Sequence, residues 1–106
     1  MTEKSIVNSI LKYLNSLSQC RAEKTWGGPY GNSGKPDITG CLNGRRFELE
    51  VKMPGKKPTK LQEVVLEQWR KAGAITGVVH SVDEVKEVLN VEDTRGGKSE
   101  LLRLRP

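Results

Sequence analysis

The chain has 106 residues, which is enough for one domain with a single modest core. Its 18 lysines and arginines outnumber its 13 acidic residues, and the net charge of +5 suggests an anionic partner, usually nucleic acid. A surface that is merely rich in lysine is the alternative, and charge alone does not exclude it. Cys20 and Cys41 lack the spacing of a zinc site, no apolar run is long enough for a membrane span, and no signal peptide is visible. We therefore expect reduced cysteines and an intracellular, cytoplasmic protein.

The first predicted elements are a helix and a short strand. Thr2 caps a helix that runs to about Ser18 on an apolar stripe with helical spacing. Glu3 lies in its first turn, where an acid favours the helix dipole, and the residues alone favour that surface role over a place in a site. Residues 20–26 alternate as a strand. Residues 27–34 hold four glycines and a proline, which predicts a mobile loop.

A β-hairpin follows this loop. Its turn is Asn43-Gly44, the dipeptide that best suits the positive φ angles of a type I′ turn. With that turn, a strand at residues 45–52 pairs with the preceding strand, and Asp37 lies opposite Glu50. Two carboxylates at this spacing repel each other unless a positive group lies between them.

The rest of the chain is predicted to form two helices, one strand and a tail. The helices span residues 59–72 and 81–89, the strand spans 74–80, and the tail has a turn at 94–99 and an edge strand at 100–105. The order α-β-β-β-α-β-α predicts an α/β fold with a mixed central sheet flanked by helices. We assign Trp26 and Trp69 to the core and His80 to a structural hydrogen bond.

The residues that could take part in catalysis or metal binding lie on one face of the hairpin. Alternation along the strand directs Glu48, Glu50 and Lys52 to the face that does not read as core, and the register brings Asp37 beside them. Carboxylates without histidine or thiol suit Mg²⁺ or Mn²⁺, with the carbonyl of Val51 as a further ligand. Lys52 would orient a water or help to deprotonate it. The alternative is a surface hairpin whose acids pair with lysines.

The spacing of these residues resembles a known nuclease signature. Pro36, Asp37, Glu50 and Lys52 together resemble the PD-(D/E)xK motif. The wider pattern, G-K-P-D, F-E-L-E-V-K, K-L-Q and W-R-K-A-G, is similar to the virus-type replication-repair nuclease (VRR-NUC) domain. The resemblance covers about residues 1–90 and leaves 91–106 as a C-terminal tail.

The resemblance implies a restriction-endonuclease-like core and a role for each site residue. Asp37 and Glu50 would bind the metal, and Lys52 would be catalytic. Gln62 matches the family's helix glutamine, and Glu3 takes the place of a first-helix glutamate, so both would support the site. The stand-alone type occurs in phages and bacteria.

The implied activity is metal-dependent, structure-selective DNA endonuclease action in DNA repair. A homodimer that resolves Holliday junctions or similar branched DNA is the expectation, because a four-way junction has two-fold symmetry and needs two paired cuts. Alternatives are a nuclease acting on flaps or single-strand ends, a restriction-type nuclease, and a non-catalytic basic DNA-binding module. The lysines expected to contact phosphate are Lys35, Lys56, Lys57 and Lys60, and the binding module would also use Arg45 and Arg46.

Overall fold

The structure is a computed structural model that describes residues 1–26 and 34–91. Seven elements follow one another along this part of the chain, in the predicted order. They are α1 (Glu3–Leu14), β1 (Cys20–Lys24), β2 (Ile38–Leu42), β3 (Arg45–Val51), α2 (Lys60–Lys71), β4 (Ile75–Val79) and α3 (Val82–Val88). No helix in these two ranges is long and apolar enough to cross a membrane.

The four strands form one mixed sheet in the order β1-β2-β3-β4. The first three strands are antiparallel, and β4 runs parallel to β3 after the α2 crossover. Asn43 and Gly44 both have positive φ, at 53° and 83°, which confirms the hairpin turn. Ile38 pairs with Leu49 in the observed ladder, so the predicted register is also confirmed.

The two faces of the sheet are covered by different helices. Helices α1 and α3 pack on one face, and α2 lies on the other, over β3 and β4. The core lies on the first face, where β3 contributes Phe47, Leu49 and Val51, all fully buried. Helix α1 adds Ile6, Val7, Ile10 and Leu14 to this core. The alternate residues of β3 face α2, so the polar side of the hairpin is partly enclosed rather than open to solvent.

Two elements are shorter than predicted. Helix α1 ends at Leu14 rather than at Ser18, because the side chain of Asn15 bonds to the backbone of β1. Its Oδ1 accepts from the N–H of Ala22 at 2.8 Å, and its Nδ2 donates to the carbonyl of the same residue at 3.0 Å. Strand β1 ends at Lys24, two residues before the predicted end. These bonds turn the chain out of the helix and into the sheet.

The start of α3 is stabilised differently from a full capping box. Ser81 Oγ accepts from the N–H of Glu84 at 3.1 Å, as expected of its N-cap. The Glu84 carboxylate, however, accepts from the backbone N–H of His80 and contacts its Nδ1 at 2.8 Å. The other ring nitrogen of His80 lies 3.2 Å from the carbonyl oxygen of Lys56. The structural role predicted for this histidine is confirmed.

The core assignment of Trp26 was wrong, because its side chain is 81% exposed. It follows the end of β1, so the strand ladder does not hold it against a helix. Trp69 on α2 is half-buried and contacts Arg46. Most of the predicted glycine-rich loop, the turn at 94–99 and the strand at 100–105 lie outside the described residues.

Candidate active site

The end of the hairpin positions Asp37 against β3. Asp37 lies one residue before the start of β2, just outside the ladder whose last pair is Ile38 and Leu49. Its Oδ2 accepts a hydrogen bond from the N–H of Val51 at 2.8 Å, and its carbonyl accepts from the N–H of Thr25. The aspartate is therefore held by backbone groups on both sides and lies next to Glu50.

Glu50 is the most enclosed charged residue of this site, with an exposed fraction of 2%. Its Oε2 accepts from Gln62 Nε2 at 3.0 Å and lies 3.8 Å from Lys52 Nζ. Its Oε1 is buried and has no hydrogen-bond partner among residues 1–26 and 34–91. A buried carboxylate oxygen without a partner is costly, so this atom is the clearest sign of a ligand in the site.

The surroundings of Glu50 raise its pKa to about 8. Burial is the largest cause, and the neighbouring Asp37 carboxylate adds to it. The charge of Lys52 lowers the pKa, and that of Glu3 raises it. Without a cation, Glu50 therefore keeps a proton at neutral pH. A divalent cation bound between the two acids would replace this proton and restore the carboxylate.

Gln62 reaches Glu50 from the first turn of α2. Thr59 is the N-cap of this helix, and its hydroxyl accepts from the N–H of Gln62 at 3.1 Å. The Gln62 Oε1 in turn accepts from the N–H of Thr59 at 2.8 Å, which completes a capping box. Only the amide nitrogen is then left for Glu50. The sequence placed Gln62 in the site only through the family resemblance, and the structure brings it into contact with Glu50.

Glu3 and Val51 stand in a looser relation to the site. Glu3 is exposed at the start of α1, and its charge reaches Glu50. Within residues 1–26 and 34–91, however, no three histidine, cysteine or acidic side chains lie close enough to hold a metal together. The side chain of Val51 is buried in the core. Its N–H is the group that fixes Asp37.

The predicted phosphate-contacting lysines lie around this site. Lys35 is exposed two residues before Asp37. The other three are exposed on the connection from β3 and on the first residue of α2: Lys56, Lys57 and Lys60. The protein therefore presents positive charge at both chain segments that lead away from the two acids.

The donors present fit a hard divalent cation. Asp37 and Glu50 supply carboxylate oxygens, which suit Mg²⁺ or Mn²⁺ better than softer metals. Mg²⁺ keeps several waters when it is held by one or two carboxylates, so two acids are sufficient protein ligands. The Glu50 Oε1 gives such an ion a protein oxygen to which no donor in the described part of the chain is bonded.

Sequence reasoning placed Glu48 on the same face of β3 but did not predict the polar group that it forms with Arg46 and Thr39. Glu48, also 2% exposed, pairs with Arg46 at 2.8 Å and accepts from the hydroxyl of Thr39. The signal was present: Arg46 and Glu48 are two residues apart on one face, and the hairpin register sets Thr39 opposite Glu48.

Two solved structures are similar to this fold. A structure described as "VRR_NUC domain" is 27% identical, with a TM-score of 0.67, and the match covers 88% of this chain and all of that one. A "VRR_NUC domain protein" is 17% identical, with a TM-score of 0.68, over 85% of this chain and 86% of that one, and this second likeness supports the fold alone. No family model matches the sequence, and a search of curated proteins found no match. With its restriction-endonuclease-like α/β fold, the chain is a VRR-NUC domain, and thus a nuclease domain.

Proposed function

We propose that this domain hydrolyses phosphodiester bonds of DNA with Mg²⁺ or Mn²⁺ held by Asp37 and Glu50. The observation that carries the proposal is the buried Oε1 of Glu50, which has no hydrogen-bond partner within the described residues. Asp37 lies beside Glu50 and contributes to the raised pKa of Glu50, as expected of two acids that bind one cation together. The carbonyl of Val51 is the proposed third protein ligand, since this residue lies between Glu50 and Lys52.

The residues of the chain have separate roles in this reaction. A bound divalent cation supplies Lewis acidity toward the phosphate and the attacking water. Gln62 fixes one oxygen of Glu50 through its amide, which leaves the other oxygen for the cation. Lys52, whose side chain is only 16% exposed, holds its ammonium beside Glu50 and orients the water that attacks phosphorus. Glu3 acts through its charge, which raises the pKa of Glu50.

The proposed substrate is branched DNA, with Holliday-junction resolution by a homodimer as its specific form. The exposed lysines beside the site supply contacts to phosphate that do not depend on sequence. A four-way junction has two-fold symmetry, so two copies of one site would make the paired cuts that resolve it. This part of the proposal extends the VRR-NUC resemblance to substrate and assembly.

The test is cleavage of a panel of labelled DNAs with Mg²⁺, with Mn²⁺ and with EDTA. The panel contains a four-way junction, a flap, a nicked duplex, a linear duplex and a single strand. We expect junction cleavage that needs metal and is reduced at least about a hundredfold in Asp37→Asn, Glu50→Gln and Lys52→Ala. Glu63→Gln is the matched control, because Glu63 is exposed in the first turn of α2. This variant should cleave DNA as the unchanged protein does.

Each alternative has its own outcome in this panel. Cleavage that persists in EDTA, or in all three site variants, would contradict the metal-dependent mechanism. Tight, salt-sensitive binding without cleavage of any substrate would support the non-catalytic binding module. Cutting by a monomer at flaps or single-strand ends would remove the resolvase proposal and keep the nuclease. Solution mass, measured with and without the junction, decides the assembly.

A further inference from the structure

A depression lies beside the two acids, on the same face of the sheet, and the proposed reaction does not use it. Its volume is about 400 Å³, within the range of small-molecule pockets. It is lined by Thr25, Lys35, Pro36, Thr39, Arg46, Glu48, Val65 and Trp69. Pro36, Val65 and Trp69 supply apolar lining, and Thr39, Arg46 and Glu48 supply a polar edge with hydrogen-bonding groups. This combination suits a flat ligand with a polar edge.

Arg46 is fixed in one orientation at this edge. Its Nε donates to Glu48 Oε2 at 2.8 Å, and its Nη2 donates to Thr39 Oγ1 at 3.0 Å. Its guanidinium carbon lies 4.5 Å from the centre of the Trp69 ring, which is a stacking distance. Only a planar guanidinium can make both bonds and lie on the ring at the same time. The arginine therefore presents its remaining N–H groups at a defined place.

The ion pair between Arg46 and the buried Glu48 is an inefficient way to stabilise the fold. Glu48 is 2% exposed, and a buried ion pair is often less stabilising than apolar residues of similar size. The Arg46 side chain is 54% exposed, so half of the pair is accessible to a ligand. The hydroxyl of Thr39 completes the group by bonding to both partners. A preorganised polar edge on an accessible wall is what a binding site requires.

The charge of the depression favours a nucleobase over a phosphate. Glu48 already neutralises Arg46, so Lys35 is the one lining cation in the described part of the chain without a carboxylate against it. A phosphate would have to lie close to the Glu48 carboxylate. A base, in contrast, would use the apolar wall for stacking and the Arg46 and Thr39 groups for hydrogen bonds along its edge.

We propose that this depression binds an unpaired base of the nucleotide that adjoins the scissile phosphate. Glu48 lies two residues before Glu50 on the same face of β3, so the pocket begins about 7 Å from the metal site, the scale of one nucleotide. A base of paired, stacked DNA cannot enter it. The domain therefore selects DNA whose strand is unstacked next to the cut, as at junctions, flaps and single-strand ends. This inference rests on the proposed nuclease activity and specifies its substrate.

The test pairs a change in the protein with a change in the DNA. A single abasic site is stepped through the substrate across the mapped cut, and cleavage is measured for the unchanged protein and for Arg46→Lys. This variant keeps the charge that Glu48 needs but loses the planar fork. Arg70→Lys is the matched control, because Arg70 on α2 pairs with Glu67 through the same planar fork, is exposed and does not line the depression. Urea unfolding checks that all three proteins fold.

We expect one position next to the cut where removal of the base slows the unchanged protein about tenfold. At that position Arg46→Lys should be slow on intact DNA and should show no further slowing when the base is removed. Arg70→Lys should behave like the unchanged protein. Equal slowing of Arg46→Lys on every DNA of the series, or a loss that follows salt rather than base removal, would overturn the proposal and assign Arg46 a structural or phosphate-binding role.

A second measurement separates this inference from the nuclease proposal. The single-stranded probe carries 2-aminopurine at one position at a time, and its fluorescence is measured on binding in EDTA. Quenching at one position that disappears in Trp69→Leu supports the base pocket, even if the protein cuts no DNA and the nuclease proposal fails. Cleavage with Mn²⁺ together with unchanged fluorescence at every position would keep the nuclease and remove the pocket.

Discussion

The Gln62 side chain makes two bonds that belong to different parts of the molecule. Its Oε1 closes the capping box with Thr59, and its Nε2 holds Glu50. We predict that Gln62→Ala lowers the free energy of unfolding by about 1 kcal/mol, the usual cost of losing a cap. It should also weaken Mn²⁺ binding about tenfold, the low end for a residue that orients a metal ligand. Urea unfolding and calorimetry with Mn²⁺ measure the two effects.

Thr59→Ala is the control that separates these effects. It removes the cap hydroxyl and leaves the bond between Gln62 and Glu50 in place. We expect a similar loss of stability and an unchanged affinity for Mn²⁺. Equal Mn²⁺ affinities in the two variants would show that Gln62 serves the helix and not the site.

Glu50 makes the stability of the metal-free protein depend on pH. Its pKa of about 8 in the folded protein exceeds the value of about 4.3 for an unfolded glutamate. The protonated carboxyl therefore stabilises the fold fully below pH 4, and this contribution is lost as the pH rises to about 8. Glu50→Gln stays neutral throughout. In EDTA, the variant should gain stability relative to the unchanged protein between pH 5 and pH 9, as measured by urea unfolding.

Metal should reverse this difference. Mn²⁺ at pH 9 is expected to stabilise the unchanged protein, because it binds the folded acids, and to stabilise Glu50→Gln much less. The exposed Glu87 on α3 supplies the control, since Glu87→Gln should track the unchanged protein across the same pH range. A stability difference for Glu50→Gln that is the same at pH 5 and pH 9 would contradict the burial argument.

At the scale of single residues, most of the candidate site could be predicted from the alternation of side chains along one strand. The Asn43-Gly44 turn and the alternation along β3 were enough to bring Asp37, Glu50 and Lys52 together. The burial of Glu48 was beyond this reasoning, because it depends on how α2 lies across β3. A strand pattern states which face a residue occupies, whereas the coverage of that face is set by tertiary packing.

At the scale of elements, the packing of α3 on β4 depends on the absence of a side chain. A Cβ added to Gly77 would lie 2.9 Å from one methyl of Val88 and 3.0 Å from the other. We predict that Gly77→Ala costs about 1–3 kcal/mol of stability, the range for an overpacked core. The double variant with Val88→Ala should recover part of that loss, because the smaller side chain makes room for the new methyl.

A double-mutant cycle from urea unfolding measures this coupling. Val88→Ala alone shows the cost of the lost packing, so the cycle isolates the clash with Gly77. Additivity of the two single changes within about 0.5 kcal/mol would mean that the clash is relieved by movement of α3 as a whole.

Element types followed from periodicity, and element ends did not. The apolar stripes predicted all three helices, and α2 matches its predicted cap and length because Thr59, Ala72 and Gly73 mark both ends locally. Helix α1 ends early because the side chain of Asn15 bonds to the backbone of Ala22 in β1. A bond of this kind depends on tertiary contacts, so the local sequence pattern of α1 does not predict it.

At the scale of the whole molecule, the sheet separates a structural side from a functional side. Helices α1 and α3 cover the apolar face, and Glu50, Gln62 and the proposed base pocket lie on the other face with α2. The net charge of +5 alone does not say where DNA would lie. The position of the acids predicts it, because exposed lysines lie on the connection between β3, which carries Glu50, and α2, which carries Gln62.

The salt dependence of DNA binding tests this division between the two faces. Lys56 and Lys57 are exposed on the connection from β3 to α2, whereas Lys12 in the last turn of α1 and Lys86 on α3 are exposed on the helices that cover the opposite face of the sheet. For a labelled duplex in EDTA, the logarithm of the affinity should fall linearly with the logarithm of the salt concentration. The double change of Lys56 and Lys57 to glutamine should reduce the slope by about 0.9 for each phosphate that the protein no longer neutralises.

The matched double change of Lys12 and Lys86 to glutamine removes the same charge from the opposite side. It should leave the slope within error of the unchanged protein, because only lysines that displace counterions from the DNA contribute to it. Fluorescence anisotropy at four or five salt concentrations measures all three slopes. Equal reductions in the two double variants would mean that the DNA responds to the net charge of the domain and not to the face that carries the site.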